Sequence, residues 1–170
     1  MARNNKEEKD LAIENAEIRF SNFSGRKGKF NNEGDRSFCV LLNPDDADDL
    51  LRERWNVKTL TPRDPEDEPV PYISVKVNYN GLRKPVVNLI TEINGKPVKK
   101  NNLDEDTICI LDYAEIDKID MVIRPYHYDV NGRQGISAYL KSMYVTIKED
   151  PFAAKYVDVP ESAKGIVSGD

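Results

Sequence analysis

The dipeptide Asn131-Gly132, placed between two strand-like runs within residues 118–147, is a strong hairpin signal. A two-residue type I′ turn needs positive φ at both central positions, and Asn-Gly is a pair that adopts this conformation readily. If these residues form the turn, Val130 lies opposite Arg133, and the register of every other pair follows from it. The sequence therefore predicts a long antiparallel strand pair in the last third of the chain.

This register gives the hairpin one aliphatic face, which suits a core. Its opposing pairs are Ile123 with Leu140, Pro125 with Ala138, and Met121 with Ser142. The other face is aromatic and cationic, with Val122 opposite Lys141, and it carries Arg124, Tyr126, Tyr128, Tyr139 and Lys141. A slip of one residue would exchange the two faces.

Tyrosine rings mixed with cations are what a single-stranded nucleic acid requires of a binding surface. Unpaired bases of any sequence stack on such rings, with about 1–3 kcal/mol per base, while the cations follow the phosphates. Cross-strand tyrosine pairs that cover a second apolar layer are the alternative explanation. The hairpin thus predicts either a strand-binding surface or a second packed layer.

The charges of the chain are segregated, although its net charge is −5. Five cations stand against two acids between Arg19 and Phe38, whereas nine acids stand against four cations between Pro44 and Val70. Phosphate binding depends on where the cations lie rather than on the net charge. The basic segment includes SGRKGKFNNEGD, residues 24–35, which predicts a flexible loop that closes over a bound strand; a solvated surface loop is the alternative.

The candidate nucleic-acid-binding residues combine this basic segment with the hairpin and with one further strand. They are Arg19, Arg26, Lys27, Lys29, Phe30 and Arg36 in the segment, Lys76 on the polar face of the strand, and Arg124, Tyr126, Tyr128, Arg133, Tyr139 and Lys141 in the hairpin.

Short strands separated by turn signals dominate the rest of the chain. Residues 11–22 and 37–43 predict strands, residues 71–80 alternate with a period of two, and a later strand runs into a hairpin at Asn94-Gly95. Pro44 and the acids after it predict a short helix, and residues 103–114 fit either a helix or a strand. Many short strands with one or two short helices indicate a single antiparallel barrel or sandwich.

Enzyme motifs are not evident in the sequence. There is no G-x-G-x-x-G or Walker loop, and Cys39 and Cys109 lie 70 residues apart without a CxxC pairing. The single histidine, His127, points away from the tyrosines in the predicted register. We therefore predict a binding protein without catalytic activity, cofactor or metal; the alternative, a metal nuclease, would have to use the acidic runs DDADD and DPEDE. With no signal peptide and no long apolar run, we expect a soluble cytoplasmic protein.

Four stretches resemble a family of phage-encoded single-stranded DNA-binding proteins, over roughly residues 11–157. They are IENAEIRFSNFSGRKGKFNNEGDRSFCVLL, WNVKTLTPR, PYISVKV and VIRPYHYDVNGRQGISAYLKSMYVTIKEDPF. The resemblance implies an OB-fold, a five-stranded Greek-key antiparallel barrel, here mainly β with one or two short helices and extra hairpins. It also implies sequence-nonspecific coating of exposed single-stranded DNA during phage DNA replication and recombination in the bacterial host cytoplasm.

The span of the resemblance, the polar first ten residues and the loss of periodicity after Asp150 together give the expected domain organisation. Residues 11–157 form the DNA-binding domain, residues 1–10 a disordered N-terminus, and residues 158–170 a flexible tail. Related phage proteins end in a strongly acidic tail that docks phage or host replication and recombination proteins, whereas this tail is only weakly acidic. The alternative function is a protein-interaction or anti-defence module on an OB scaffold that does not bind nucleic acid.

Overall fold

The computed structural model describes residues 9–29 and 31–148, which form a mainly β structure with one α-helix. Its strands are β1 Leu11–Ile13, β2 Ile18–Asn22, β3 Arg36–Leu41, β4 Val57–Leu60, β5 Val70–Val77, β6 Val86–Ile93, β7 Lys96–Leu103, β8 Ile116–Val130 and β9 Arg133–Lys148. Helix α1 spans Pro44–Arg52, and a short 3-10 helix spans Ile108–Asp112. Phe30, the predicted tail and most of the predicted disordered N-terminus lie outside the described residues.

These strands form a single open sheet with mixed strand directions. Its main path runs β1-β8-β9-β5-β3-β2, while β4 pairs with β5, and β6 joins β7 to β9. The prediction of a mainly β fold is confirmed, but a purely antiparallel arrangement is wrong because β9 runs parallel to both β5 and β6. The chain segment between β6 and β9, which contains β7 and β8, provides the long connection that two parallel strands require.

The strand-like run at residues 11–22 is divided into β1 and β2, which stand at opposite ends of the main path. Residues 14–17, which link β1 to β2, form hydrogen bonds with both β8 and β3. The Ala16 amide donates to the Ile119 carbonyl on β8 at 2.8 Å, and the Leu41 amide on β3 donates to the Glu17 carbonyl at 2.9 Å. One short segment of chain therefore connects the two outer strands of the path.

The core lies on one side of the long strands, where alternate residues are apolar. Its fully buried side chains include Phe38, Val40, Ile73, Val75 and Ile123. Burial of one such side chain contributes about 1.5–3 kcal/mol. The alternation leaves the opposite side of β3, β5, β8 and β9 to polar, cationic and aromatic residues.

Helix α1 begins as the sequence predicts. The Asn43 side chain accepts a hydrogen bond from the Asp46 amide at 2.8 Å, and Pro44 occupies the first turn. Ala47 and Leu50 are buried against the sheet, while the acids face solvent. In residues 103–114, Leu103 ends β7 and the 3-10 helix follows, whose Ile108 and Leu111 enter the core.

Candidate nucleic-acid interface

The turn at Asn131-Gly132 aligns β8 with β9 in the predicted register over the outer half of the hairpin. The φ angles of the two turn residues are 54° and 79°, as a type I′ turn requires. The predicted pairs hold from Val130 with Arg133 back to Ile123 with Leu140. Beyond that point the prediction is wrong, because Lys141 is an extra residue in β9.

This bulge changes the pairs of the inner half. Val122 lies opposite Ser142 instead of Lys141, and Met121 lies opposite Met143 instead of Ser142. The Lys141 side chain forms an ion pair with Asp10, with 2.5 Å between Nζ and Oδ2. A predicted binding cation is therefore engaged with an acid of the same chain.

Tyr126 and Tyr139 form an edge-to-face pair on the surface of the hairpin. Their ring centroids lie 5.6 Å apart with an interplanar angle of 66°. The Tyr126 side chain is 58% exposed, and Tyr139 is partly buried. The Lys76 ammonium lies 5.7 Å from the Tyr139 ring centroid. These rings lie on the solvent side of the sheet, so they do not form a second packed layer.

A row of side chains crosses four strands on this side of the sheet. Pairing places Ser37 opposite Lys76, Lys76 opposite Tyr139, and Tyr139 opposite Arg124. Arg19 lies opposite Cys39, which is on the same side of β3 as Ser37. We call the surface formed by Lys76, Arg124, Tyr126, Tyr128 and Tyr139 the tyrosine face.

Three depressions meet at the tyrosine face. One of about 520 Å³ lies between Tyr126, Tyr139 and Arg124 on one side and the loop after β5 on the other. A polar depression of about 400 Å³ shares Lys76 and Tyr139, and a third of about 200 Å³ also contains Lys76. The three depressions are joined through shared lining residues, Tyr139 and Lys76, and together make this surface concave.

Tyr128 contributes to this face in a different way. Its ring lies across Gly135, the residue directly opposite on β9. The Tyr128 Cζ atom stands 2.6 Å from the point that a Cβ of residue 135 would occupy. The ring is consequently held flat against the hairpin rather than projecting into solvent.

The basic loop, residues 24–35, has a fixed base. The Asp112 carboxylate accepts hydrogen bonds from the amides of Phe23 and Ser24 at 2.9 and 2.8 Å. The Asn22 side chain accepts from the Gly25 amide at 2.9 Å, and the Asn31 side chain donates to the Arg26 carbonyl at 2.9 Å. These contacts hold the loop beside the sheet.

The cations of the loop are displayed at its exposed tip. Arg26, Lys27 and Lys29 are all exposed. The Arg26 guanidinium donates to the Ser24 hydroxyl at 3.1 Å and lies 5.7 Å from the Tyr113 ring centroid. Arg133 is exposed at the tip of the β8–β9 hairpin, and Arg19 is exposed on β2.

Arg36 faces the other side of the sheet and is bound within the protein. Its side chain is 14% exposed and lies 3.8 Å from the Glu105 carboxylate. Its Nε donates to the Phe23 carbonyl at 2.9 Å, and its guanidinium lies 5.5 Å from the Tyr79 ring centroid. This arrangement joins the loop, β3 and the segment before the 3-10 helix.

Two groups near the interface have raised pKa values. Burial raises the pKa of Tyr79 to about 12, against a smaller opposing effect of the Arg36 charge. The buried Tyr79 hydroxyl has no hydrogen-bond partner among the described residues. Burial also raises the pKa of the Cys39 thiol, while the nearby Lys58 lowers it by less. Neither group is ionised near neutral pH.

Sequence reasoning missed part of the surface beside the tyrosines. Leu82, which is fully exposed, and Arg83 line the 520 Å³ depression, and Lys58 lines the 200 Å³ depression. The run GLRK that follows the alternating strand was a visible signal of an exposed cationic turn. Lys58 offered no such signal, because only the pairing of β4 with β5 places it there.

The described parts of the chain contain no group of three or more His, Cys, Asp or Glu side chains that could hold a metal ion. None of their helices has both the length and the apolar character needed to cross a membrane.

Comparisons with known proteins bear on the family and the fold of the chain. A family profile described as "Putative phage ssDNA-binding domain" matches residues 1–169. The fold is similar to that of the single-stranded DNA-binding protein from bacteriophage Enc34 in complex with ssDNA, at 16% identity and a TM-score of 0.51, over 84% of this chain and 89% of that one. A C-terminal truncation of the Enc34 protein gives 17% identity and a TM-score of 0.51, over 84% and 88% of the two chains. No curated protein matches the chain.

Proposed function

The chain belongs to the family of phage single-stranded DNA-binding domains, and on that premise we propose that it coats exposed single strands through the tyrosine face without reading their base sequence. The observation that carries this proposal is the cluster of Tyr126, Tyr139 and Lys76, in which two rings and a cation share one concave surface. Such a cluster offers π-faces to bases and positive charge to phosphates.

The two kinds of contact have separate roles. Bases stack on Tyr126 and Tyr139, and each stacked base contributes about 1–3 kcal/mol. The phosphates pass Lys76 and Arg124, which flank Tyr139 on the neighbouring strands. Stacking accepts every base, so affinity depends little on sequence. The cations make binding sensitive to salt, because each neutralised phosphate releases counterions.

The exposed cations at both ends of the face support a bound strand from above. The loop tip with Arg26, Lys27 and Lys29 lies at one end, between β2 and β3, and Arg133 lies at the β8–β9 turn. An OB-fold binds oligonucleotides on the face of its second and third strands and at two loops: L12, between strands 1 and 2, and L45, between strands 4 and 5. These loops correspond to the basic loop and the β8–β9 turn if β1 and β2 are counted as one interrupted first strand.

The same counting supports an OB-type barrel. The five barrel strands would be β1 with β2, then β3, β5, β8 and β9. The interrupted first strand would close the barrel, since β2 pairs with β3 and β1 pairs with β8. Helix α1 and the β6–β7 hairpin would be insertions between barrel strands. Because the first strand is interrupted at residues 14–17, its first half, β1, can pair with β8 and its second half, β2, can pair with β3.

We further propose that the protein acts in the cytoplasm of the bacterial host, where phage DNA replication and recombination expose single strands. The role is one of binding without catalysis, as befits a family of DNA-binding domains. His127 lies opposite Ile136, and strand alternation assigns it to the side of the hairpin opposite to Tyr126 and Tyr128.

A fluorescence titration with oligonucleotides tests the proposed function. Oligo-dT and a mixed-sequence oligonucleotide of equal length should bind with similar affinity, and a duplex should bind more weakly. The logarithm of the binding constant should fall with the logarithm of salt by about 0.7 per phosphate contact. Failure to bind either single strand at low salt would instead indicate a protein-interaction module. Cleavage of the DNA in the presence of Mg²⁺ would indicate a nuclease.

A further inference from the structure

A second ring and cation form a pair on the sheet, outside the tyrosine face. Tyr144 on β9 is 44% exposed, and the Lys100 ammonium of β7 lies 5.7 Å from its ring centroid. The distance equals the one between Lys76 and the Tyr139 ring. Each of these two tyrosines of β9 thus lies close to the ammonium of a lysine from another strand. We call the pair of Tyr144 and Lys100 the edge pair.

The bulge at Lys141 brings the edge pair to the same side of the sheet as the tyrosine face. Tyr139 and Tyr144 are five positions apart, so in a regular strand their side chains would point to opposite sides. The extra residue removes this difference. Their partners on β8, Arg124 and Asp120, are four positions apart and share one side. The residues between the rings, Leu140 and Met143, are buried on the core side.

The spacing of the two tyrosines fits one continuous strand of nucleic acid. Five residues of β-strand span about 16 Å, so the rings lie farther apart than neighbouring stacked bases and within reach of a single oligonucleotide. The pairing of Val86 with Ser142 and of Asn88 with Tyr144 continues this side of the sheet from β9 onto β6, where Val86 is exposed and Asn88 is buried. Lys100 reaches across β6 from β7, which pairs only with β6 among the described strands.

The local charge at the edge pair is compatible with a polyanion. The acid opposite Tyr144, Asp120, lies 3.5 Å from the Lys118 ammonium and accepts a hydrogen bond from the Asn15 amide at 2.9 Å. Lys100 is exposed on the edge strand. A lysine has a flexible stem and three donors, so its ammonium can leave the ring for a phosphate.

We propose that the edge pair is a second contact for single-stranded DNA, with Tyr144 stacking on a base and Lys100 binding a phosphate. The inference rests on the proposed function, because a strand must first occupy the tyrosine face. A short oligonucleotide occupies only the tyrosine face. A longer one continues along β9, across the bulge, to the β6–β7 hairpin.

Oligo-dT of two lengths distinguishes the two contacts. OB-folds occupy about 4–16 nucleotides, so we compare oligonucleotides of about 5 and about 16 nucleotides. Tyr144→Ala and Lys100→Ala should each weaken binding of the long oligonucleotide by about fivefold or more. Both should leave binding of the short one within about twofold of wild type, since the ~1–3 kcal/mol of a stacked base is lost only where that base is reached.

Two matched variants serve as controls. Lys99→Ala removes the neighbouring charge, but Lys99 pairs with Thr91 on the opposite side of β7 and should leave both affinities unchanged. Tyr144→Phe keeps the ring and should retain binding of the long oligonucleotide. Unchanged affinity for the long oligonucleotide in Lys100→Ala and Tyr144→Ala overturns the edge contact. Equal loss for both lengths, with a lowered melting temperature, assigns the pair a structural role. Absence of binding by the wild-type protein is a separate result, which removes the proposed function itself.

Discussion

The ring of Tyr128 occupies the space above Gly135 that a side chain at that position would need. Any Cβ at residue 135 would stand 2.6 Å from the Tyr128 Cζ atom, which is closer than real contacts allow. The glycine therefore determines where the ring lies. It also explains why Tyr128 is less exposed than Tyr126, although both belong to the same face.

Gly135→Ala should destabilise the protein only while Tyr128 is present. The added methyl group forces the ring out of its position, and because the displaced atoms are the outer end of a partly exposed side chain, we expect a cost of about 1 kcal/mol, the lower end of the range for overpacking. In the Tyr128→Ala background the same substitution has nothing to displace, and its effect should fall below about 0.5 kcal/mol. Chemical denaturation of the four proteins of this double-mutant cycle measures the coupling. Equal effects of Gly135→Ala in the two backgrounds would show that the contact does not determine the ring position.

Tyr139→Ala should reduce DNA affinity more than it reduces stability. The ring is partly exposed and contacts Tyr126 and Lys76 on the solvent side of the sheet. Loss of one stacking ring costs about 1–3 kcal/mol of binding, whereas truncation of a buried aromatic residue costs about 3–5 kcal/mol of stability. Oligo-dT titration and thermal denaturation of the same variant give both quantities. Tyr139→Phe is the control and should bind as wild type. A large fall in melting temperature with unchanged affinity would place the binding surface elsewhere.

Lys76→Ala should lower the salt dependence of binding by one phosphate contact. Lys76 lies beside Tyr139 on the tyrosine face, and for single strands one contact changes the slope of log K against log salt by about 0.7. Titrations at several salt concentrations measure this slope. Arg52→Ala is the control, because Arg52 is paired with Asp49 at the end of the acidic helix α1. An unchanged slope in Lys76→Ala would exclude a phosphate contact at this residue.

Tyr79 should make the protein lose stability at alkaline pH. Its pKa is raised from 10.0 to about 12 in the folded protein, so below pH 10 both the folded and the unfolded states keep the proton. Between pH 10 and 12 the unfolded state loses the proton first, and the free energy of unfolding falls as pH rises. Denaturation across this range should show a smaller fall in Tyr79→Phe than in wild type. Parallel pH profiles of the two proteins would contradict this origin.

The outer half of the β8–β9 hairpin was predictable because a local signal determines it. Asn131 and Gly132 adopt the positive φ angles that their side chains favour, and the pairs follow from the turn. The start of α1 was predictable for the same reason, since Asn43 and Pro44 supply cap and first turn within a few residues. Such features depend on sequence neighbours alone.

Features that depend on distant partners were not predictable from the sequence. The bulge at Lys141 arises where β9 exchanges β5 for β6 along its edge, and no local residue marks it. Arg36 was predicted to bind nucleic acid because it belongs to a basic segment. Its contacts are with Glu105 in the turn after β7 and Tyr79 in the loop after β5, which only the folded sheet brings beside it. The role of each predicted binding residue stays a prediction until the variants are measured.

The division of the first strand has a consequence for how the chain folds. β1 pairs with residues of β8 that are more than a hundred positions later, Leu11 with Ile123 and Ile13 with Met121, whereas β2 pairs with β3 close by in sequence. During synthesis on the ribosome, the β2–β3 pair can therefore form early, while β1 has no partner until β8 has emerged. Such non-local pairing slows folding, because loop-closure entropy is lost before the contacts compensate it. The first described strand of the chain is thus among the last to pair with its neighbour in the sheet.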